Sequence, residues 1–219
     1  MDLNIIYEDE SLIVCEKPAG VATQTKRLGQ ADMESILKNY RAGKGEMPYI
    51  GVIHRLDQPV AGVMVFAKTK EVAASLSRQV QSKAADKFYY AVTDGIPEIK
   101  SETLEDYLLH DGKTNTSKVV DAKVKGAKSA RLSYEVIEEN GDRAVLRVQL
   151  DTGRPHQIRV QLSHAGWPIV GDRKYNQKES AKEAGLKLCS YKIGFNHPNT
   201  GKKMEFELPL PFSVEAGNN

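Results

Sequence analysis

The sequence predicts an α+β fold, a mixed, mainly antiparallel sheet with flanking helices. Three observations carry this. Short apolar runs alternate with period two, several of them pair around turn residues, and only three segments show helical spacing. Hairpins with few helices make a sheet that must cover one face with helix. At 219 residues, one domain spanning 1–219 is the expectation.

The elements follow in chain order. IIYE and LIVCEKP flank Asp9-Glu10-Ser11 as a hairpin, and Lys17-Pro18-Ala19-Gly20 ends it as a loop. ADMESILKNY predicts a short helix, with Met33, Ile36, Leu37 and Tyr40 on one stripe and Asp32 as its cap. YIGVIH and VAGVMVFAKT read as buried strands around a turn holding HRLDQP. EVAASLSRQVQSKAAD places Val72, Leu76, Val80 and Ala84 at helical spacing, and KFYYAVTDG reads as a strand. ARLSYEVIEE and RAVLRVQL alternate around Asn140-Gly141-Asp142, a hairpin signal. LCSYKIGF and KKMEFELPL form another around Asn196–Gly201. TGRPHQIRVQLSHAGWP fits both periods. Ile158, Val160 and Leu162 alternate, yet Pro155 suits a first helical position and Gly166 a position just past the last. Helix is favoured, with His156, Arg159 and Ser163 on one face.

Composition narrows the function. Hydrophobic residues make up 40% and charged residues 27%, which argues against disorder. The longest apolar run, Val60–Ala67, falls short of the roughly 20 residues of a bilayer span. The first 16 residues carry no Lys or Arg, so neither a signal peptide nor a membrane partner is expected, and the cytoplasm is the expected compartment. Cys15 and Cys189 lie far apart without a CxxC pair, and the five histidines lack metal-ligand spacing; no metal is expected, and both thiols read as small buried hydrophobes. Net charge is only +2, but residues 113–131 hold six bases and one acid, and 143–174 six bases and two acids. A phosphate-bearing partner would use such segments; otherwise they are solvated faces.

One position combines these features. HRLDQPVAG puts Asp57 at the tip of a turn between two apolar strands. An acid there either caps its turn or needs a cation, for which the arginine of HQIR is the best placed distant candidate. Held by guanidinium, a carboxylate stays ionised and oriented, hence usable as nucleophile or base.

HRLD followed by a glycine-containing apolar strand ending in FAKT resembles the signature of the RluA-type pseudouridine synthases. Three further blocks are similar, in the same order: YEDESLIVCEKPAGVATQ, KFYYAV, and TGRPHQIRVQLSHAGWPIVGDRKY. The resemblance covers most of the chain. It implies a single catalytic domain without an S4 domain that isomerises uridine to pseudouridine in ribosomal or transfer RNA, with no cofactor and no metal. It implies Asp57 as the catalytic aspartate, attacking either the sugar C1′ or the base. Tyr89 would stack on the flipped uracil, and Arg159 would be the cation paired with Asp57. His54, Arg55 and Leu56 would shape the turn and contact RNA; Arg154 and His156 would lie at the RNA-facing end of a helix. A monomer is expected.

Two positions depart from the family pattern. Gln58 stands where a basic residue is frequent, and Pro155 replaces the usual Thr of GRTHQ. RNA preference is expected to differ while activity survives. The competing reading is a catalytically silent RNA-binding module of the same fold. A carboxylate-based glycosidase ranks last, because Asp57 has no acidic partner in a comparable motif.

Overall fold

The computed structural model describes residues 3–27 and 29–212. The chain forms two compact units, one of Met1–Lys87 with Ser190–Pro209, the other of Phe88–Cys189 with Leu210–Asn219.

In the first unit β1 (Ile5–Glu8) and β2 (Leu12–Lys17) make the predicted hairpin, with Asp9 accepting the Ser11 and Leu12 N–H groups in its turn. α1 (Met33–Gly43) starts as the sequence says. The Asp32 carboxylate accepts from Ser35 N at 2.8 Å and Ser35 Oγ accepts from Asp32 N at 3.0 Å, a reciprocal cap. β3 is reduced to Gly51–Val52, while β4 (Ala61–Ala67) pairs antiparallel with β2 along its length. α2 (Lys70–Gln81) is capped by Thr69 and buries Val72 and Leu76 against the sheet, each contributing about 1.5–3 kcal/mol.

The second unit is a five-stranded antiparallel sheet. β5 (Asp86–Asp94) enters it, followed by β6 (Ser101–Asp111), β7 (Thr116–Val120), β8 (Lys128–Asn140) and β9 (Arg143–Leu150), in spatial order β5-β9-β8-β6-β7. β8 and β9 form the predicted hairpin, and its register shifts between Val136 and Glu138, leaving Ile137 exposed at the bulge. β6 and β7 were not among the predicted elements. α3 (Gln157–His164) settles the ambiguous segment as helix. Pro155 is not its first residue. His156 is the cap, in the left-handed region at φ 56°, and Pro155 precedes it. Gly166 follows the C-cap Ala165 at φ 96°, as expected.

β10 (Leu188–Asn196) returns the chain to the first unit from Ser190 and pairs with β11 (Lys203–Glu207), the last predicted hairpin. Gly62 lets β4 lie close to β10: a Cβ there would meet the Ser190 carbonyl oxygen at 2.2 Å. Leu12, Val14, Val63, Val65, Ile193 and Phe195 fill the core of this unit, and Cys15 and Cys189 are both buried and unlinked. No helix among the described residues is long and apolar enough to cross a membrane.

Candidate functional site

In the first unit the HRLD turn is clamped by the loop that ends the N-terminal hairpin. Val60 N donates to Asp57 O at 3.0 Å, closing the turn just before β4. Thr23 Oγ1 bonds both backbone groups of Leu56, accepting from its N–H at 3.2 Å and donating to its carbonyl at 3.1 Å. Arg55 donates to the Gln24 side chain at 2.8 Å. Gly20 N donates to Gln58 O, and the Gln58 amide donates back to Gly20 O at 2.9 Å. Gly20 sits at φ 86°, a conformation that suits glycine. Residues 17–24 and 55–58 therefore behave as one piece.

Lys17 locks it. Its side chain is fully buried, and Nζ donates to the carbonyls of Pro18 (3.0 Å), Val21 (2.6 Å) and Gln58 (3.1 Å). All three ammonium donors are thus satisfied without a carboxylate. Burial pushes this ammonium down to about 8, against the opposing pull of the Asp57 charge. The bonds Lys17 makes orient its own loop and hold it to Gln58. Asp57 itself is half-buried at the tip of the clamped turn.

His54 opens the HRLD stretch on the inner side. Its Nε2 accepts from Val65 N at 3.4 Å, while Nδ1 is buried with no hydrogen-bond partner among the described residues. Burial, then the charge of Lys87, push the imidazole down to about 3, so His54 is neutral at ordinary pH. Leu56 is buried, which suits shaping the turn; Arg55 is exposed.

In the second unit Tyr89 lies on β5 opposite Val148 of β9 and is buried. Tyr90 points the other way and packs on the cluster of Val92, Val145 and Val170. Helix α3 gathers the other expected residues. Arg159 is buried, and its Nε and Nη2 each reach an Asp172 oxygen at 2.7 Å, a two-pronged pair. The guanidinium also lies over the Tyr175 ring, 5.2 Å from its centroid. Tyr175 gathers the predicted face of α3: its hydroxyl bonds His156 Nδ1 at 2.7 Å, and its carbonyl accepts from Ser163 Oγ at 2.6 Å. The same hydroxyl accepts from Ser117 N on β7 at 2.7 Å. Arg154 donates through Nε to Ser129 O at 2.9 Å and is half-buried.

The structure therefore brings Lys17, His54, Arg55, Leu56 and Asp57 together in one unit, and Arg154, His156 and Arg159 together in the other with Tyr89 on β5. Sequence reasoning missed Asp172 as the partner of Arg159. The GDRKY stretch, a glycine turn carrying an acid 13 residues on, was the available signal.

The family described as RNA pseudouridylate synthase matches residues 11–164. An uncharacterized RNA pseudouridine synthase, YlyB, from Bacillus subtilis (strain 168) is 32% identical over 215 residues, 96% of this chain and 70% of the relative. The ribosomal large subunit pseudouridine synthase D of Neisseria meningitidis serogroup B is 32% identical over 230 residues, 98% of this chain and 60% of the relative. The chain thus spans 60–70% of the length of these two relatives. Human RNA pseudouridylate synthase domain containing 4 superposes with a TM-score of 0.77 at 23% identity, over 95% of this chain and 88% of the human one, a likeness of fold.

Proposed function

This chain belongs to the RNA pseudouridylate synthase family, and from that premise we propose that it isomerises uridine to pseudouridine in RNA, with ribosomal RNA as the favoured substrate. The relatives named for the large ribosomal subunit support that choice over transfer RNA. The reaction breaks the N1–C1′ bond and forms C5–C1′, while C5 loses a proton and N1 regains one. Atoms and electrons balance within the substrate, so the reaction calls for neither an oxidant nor a reductant.

Asp57 is the catalytic aspartate in this reading, engaging either C1′ or the uracil ring. Tyr89 is the aromatic platform for the everted base; stacking of that kind returns roughly 1–3 kcal/mol of the few that unstacking costs. Arg159 is the cation of the site in this reading, oriented by Asp172 through Nε and Nη2. In this reading residues 1–219 are a catalytic domain, monomeric and cytoplasmic. Arg55 is the member of the HRLD stretch exposed enough to meet RNA, and Arg154 is its counterpart before α3.

The observation that supports this best is the clamped turn: a lysine-locked loop makes four hydrogen bonds to residues 56–58, one from Lys17 Nζ, the Thr23 pair and the Gln58 amide, around a half-buried acid, and Lys17 makes two more within its own loop. Gln58 serves that clamp, so its departure from the family pattern does not favour a silent binding module. Purified protein should release tritium from ribosomal RNA labelled at uridine C5. Absence of release from every RNA class tested would favour the silent module instead.

A further inference from the structure

The segment between β6 and β8 takes no part in the clamp, and it carries a run of exposed lysines. Lys113, Lys118, Lys123, Lys125 and Lys128 are all exposed, and none has a carboxylate partner among the described residues. Exposed Lys26, Lys70, Lys83 and Lys202 are likewise without one, singly placed along the chain, whereas Lys38, Lys44, Lys100, Lys178, Lys192 and Lys203 each lie within 3.6 Å of a carboxylate. The acids nearby are turned to their own backbone. Asp111 accepts from Lys113 N and Thr114 Oγ1, and Asp121 accepts from Lys123 N. A sixth lysine, Lys174, joins the β6–β7 turn by donating to Asn115 O at 2.7 Å. Five like charges within residues 113–128 repel one another, which is tolerated only in water or against an anion.

The support beneath this surface is firm. The inner face of β7 is fixed through Ser117, whose N–H goes to the Tyr175 hydroxyl and whose Oγ donates to Pro155 O at 2.7 Å. Val119 packs with Leu108, Ala130 and Val160 of α3. On the outer face Lys118 stands opposite Leu109, beside the exposed Tyr107. The charges are thus carried on an ordered sheet tied to the helix that bears Arg159.

We propose that the β6–β7 hairpin and the 121–128 loop form a docking surface for the sugar–phosphate backbone of RNA. This rests on the RNA reading above and adds where the chain grips its substrate. The surface gives affinity and leaves the chemical step to the other residues. Each phosphate contact adds about 0.7–0.9 to the slope of log affinity against log salt.

The test uses the full chain with Lys118, Lys123 and Lys125 changed to Gln together, whose side chains make no hydrogen bond or ion pair among the described residues. The control changes Lys38, Lys192 and Lys203 to Gln. Filter binding to a protein-free ribosomal RNA transcript is measured from 50 to 200 mM salt, alongside tritium release from the same transcript. The expected result is a shallower slope by about 2 for the hairpin variant, with KM raised about tenfold or more and kcat within about twofold. The control should match wild type. A hairpin variant no weaker than the control overturns the proposal. So does unchanged RNA affinity with lost binding to vesicles of phosphatidylglycerol and phosphatidylcholine, which would assign the surface to a membrane. If wild-type protein binds RNA through these lysines yet releases no tritium, the isomerase reading fails and the docking surface stands.

Discussion

Replacing Lys17 with Met probes the clamp while keeping the length of the side chain. The substitution leaves the carbonyls of Pro18, Val21 and Gln58 buried without their donor. A hydrogen bond from a charged group contributes about 1.5–3 kcal/mol net, so three of them amount to roughly 5–9 kcal/mol. Against that stands the cost of burying the ammonium. Its fall from 10.5 to about 8 corresponds to about 3 kcal/mol, which the variant no longer bears. The balance is a loss of about 2–6 kcal/mol. For a chain of this size each 1 kcal/mol lowers Tm by roughly 2–4 °C, so a fall of at least about 4 °C is expected. Thermal unfolding by circular dichroism and the urea midpoint measure it. Tritium release at a temperature where the variant stays folded should also fall, because the Asp57 turn loses its anchor. A stability change below about 0.5 kcal/mol with full turnover would show that the loop does not depend on Lys17.

Two further outcomes follow from the same geometry. His54 has its folded-state value at about 3 against an ordinary 6.5, so between those pH values the unfolded chain holds a proton that the folded chain lacks. Stability is therefore complete above about pH 6.5 and declines as pH falls toward 3, by no more than about 1.4 kcal/mol per pH unit from this group; His54→Phe should flatten the Tm–pH curve there, and an unaltered slope would clear His54 of the effect. Asp172→Asn takes a buried charge from Arg159 and disturbs the acceptor of the Lys174 and Tyr175 N–H groups. Breaking such a pair costs about 3–5 kcal/mol, visible as a lower urea midpoint, and wild-type stability would mean that the pair is dispensable.

The hairpins were legible because alternation and turn residues report a sheet with one buried face. The stretch from 101 to 120 was not, and burial explains why. Of β6 only Leu108 is buried, and of β7 only Ser117, so neither strand carries an apolar pattern to read. Helix α3 was ambiguous for the opposite reason. Gln157 through Leu162 are all buried, so the polar residues give no exposed stripe. Each polar side chain finds its own partner: Gln157 on the Arg131 carbonyl, Arg159 on Asp172, and Gln161 on Asp106. Those partners lie from 13 to 55 residues away, beyond local pattern. Asp57 was legible as an awkward acid in a turn, but its clamp was not, since Lys17 is held by backbone carbonyls that leave no trace in residue identity. The blocks resembling a known family supplied the chemistry that composition and spacing left open.

The most direct measurement compares Asp57→Asn with wild type on uridine-C5-tritiated ribosomal RNA, with RNA affinity and Tm measured in parallel. Asparagine keeps the volume and the turn but cannot act as a nucleophile. The expected result is no tritium release above background, with Tm and RNA affinity close to wild type. Turnover retained by the asparagine variant would contradict the assignment of Asp57 as the catalytic aspartate.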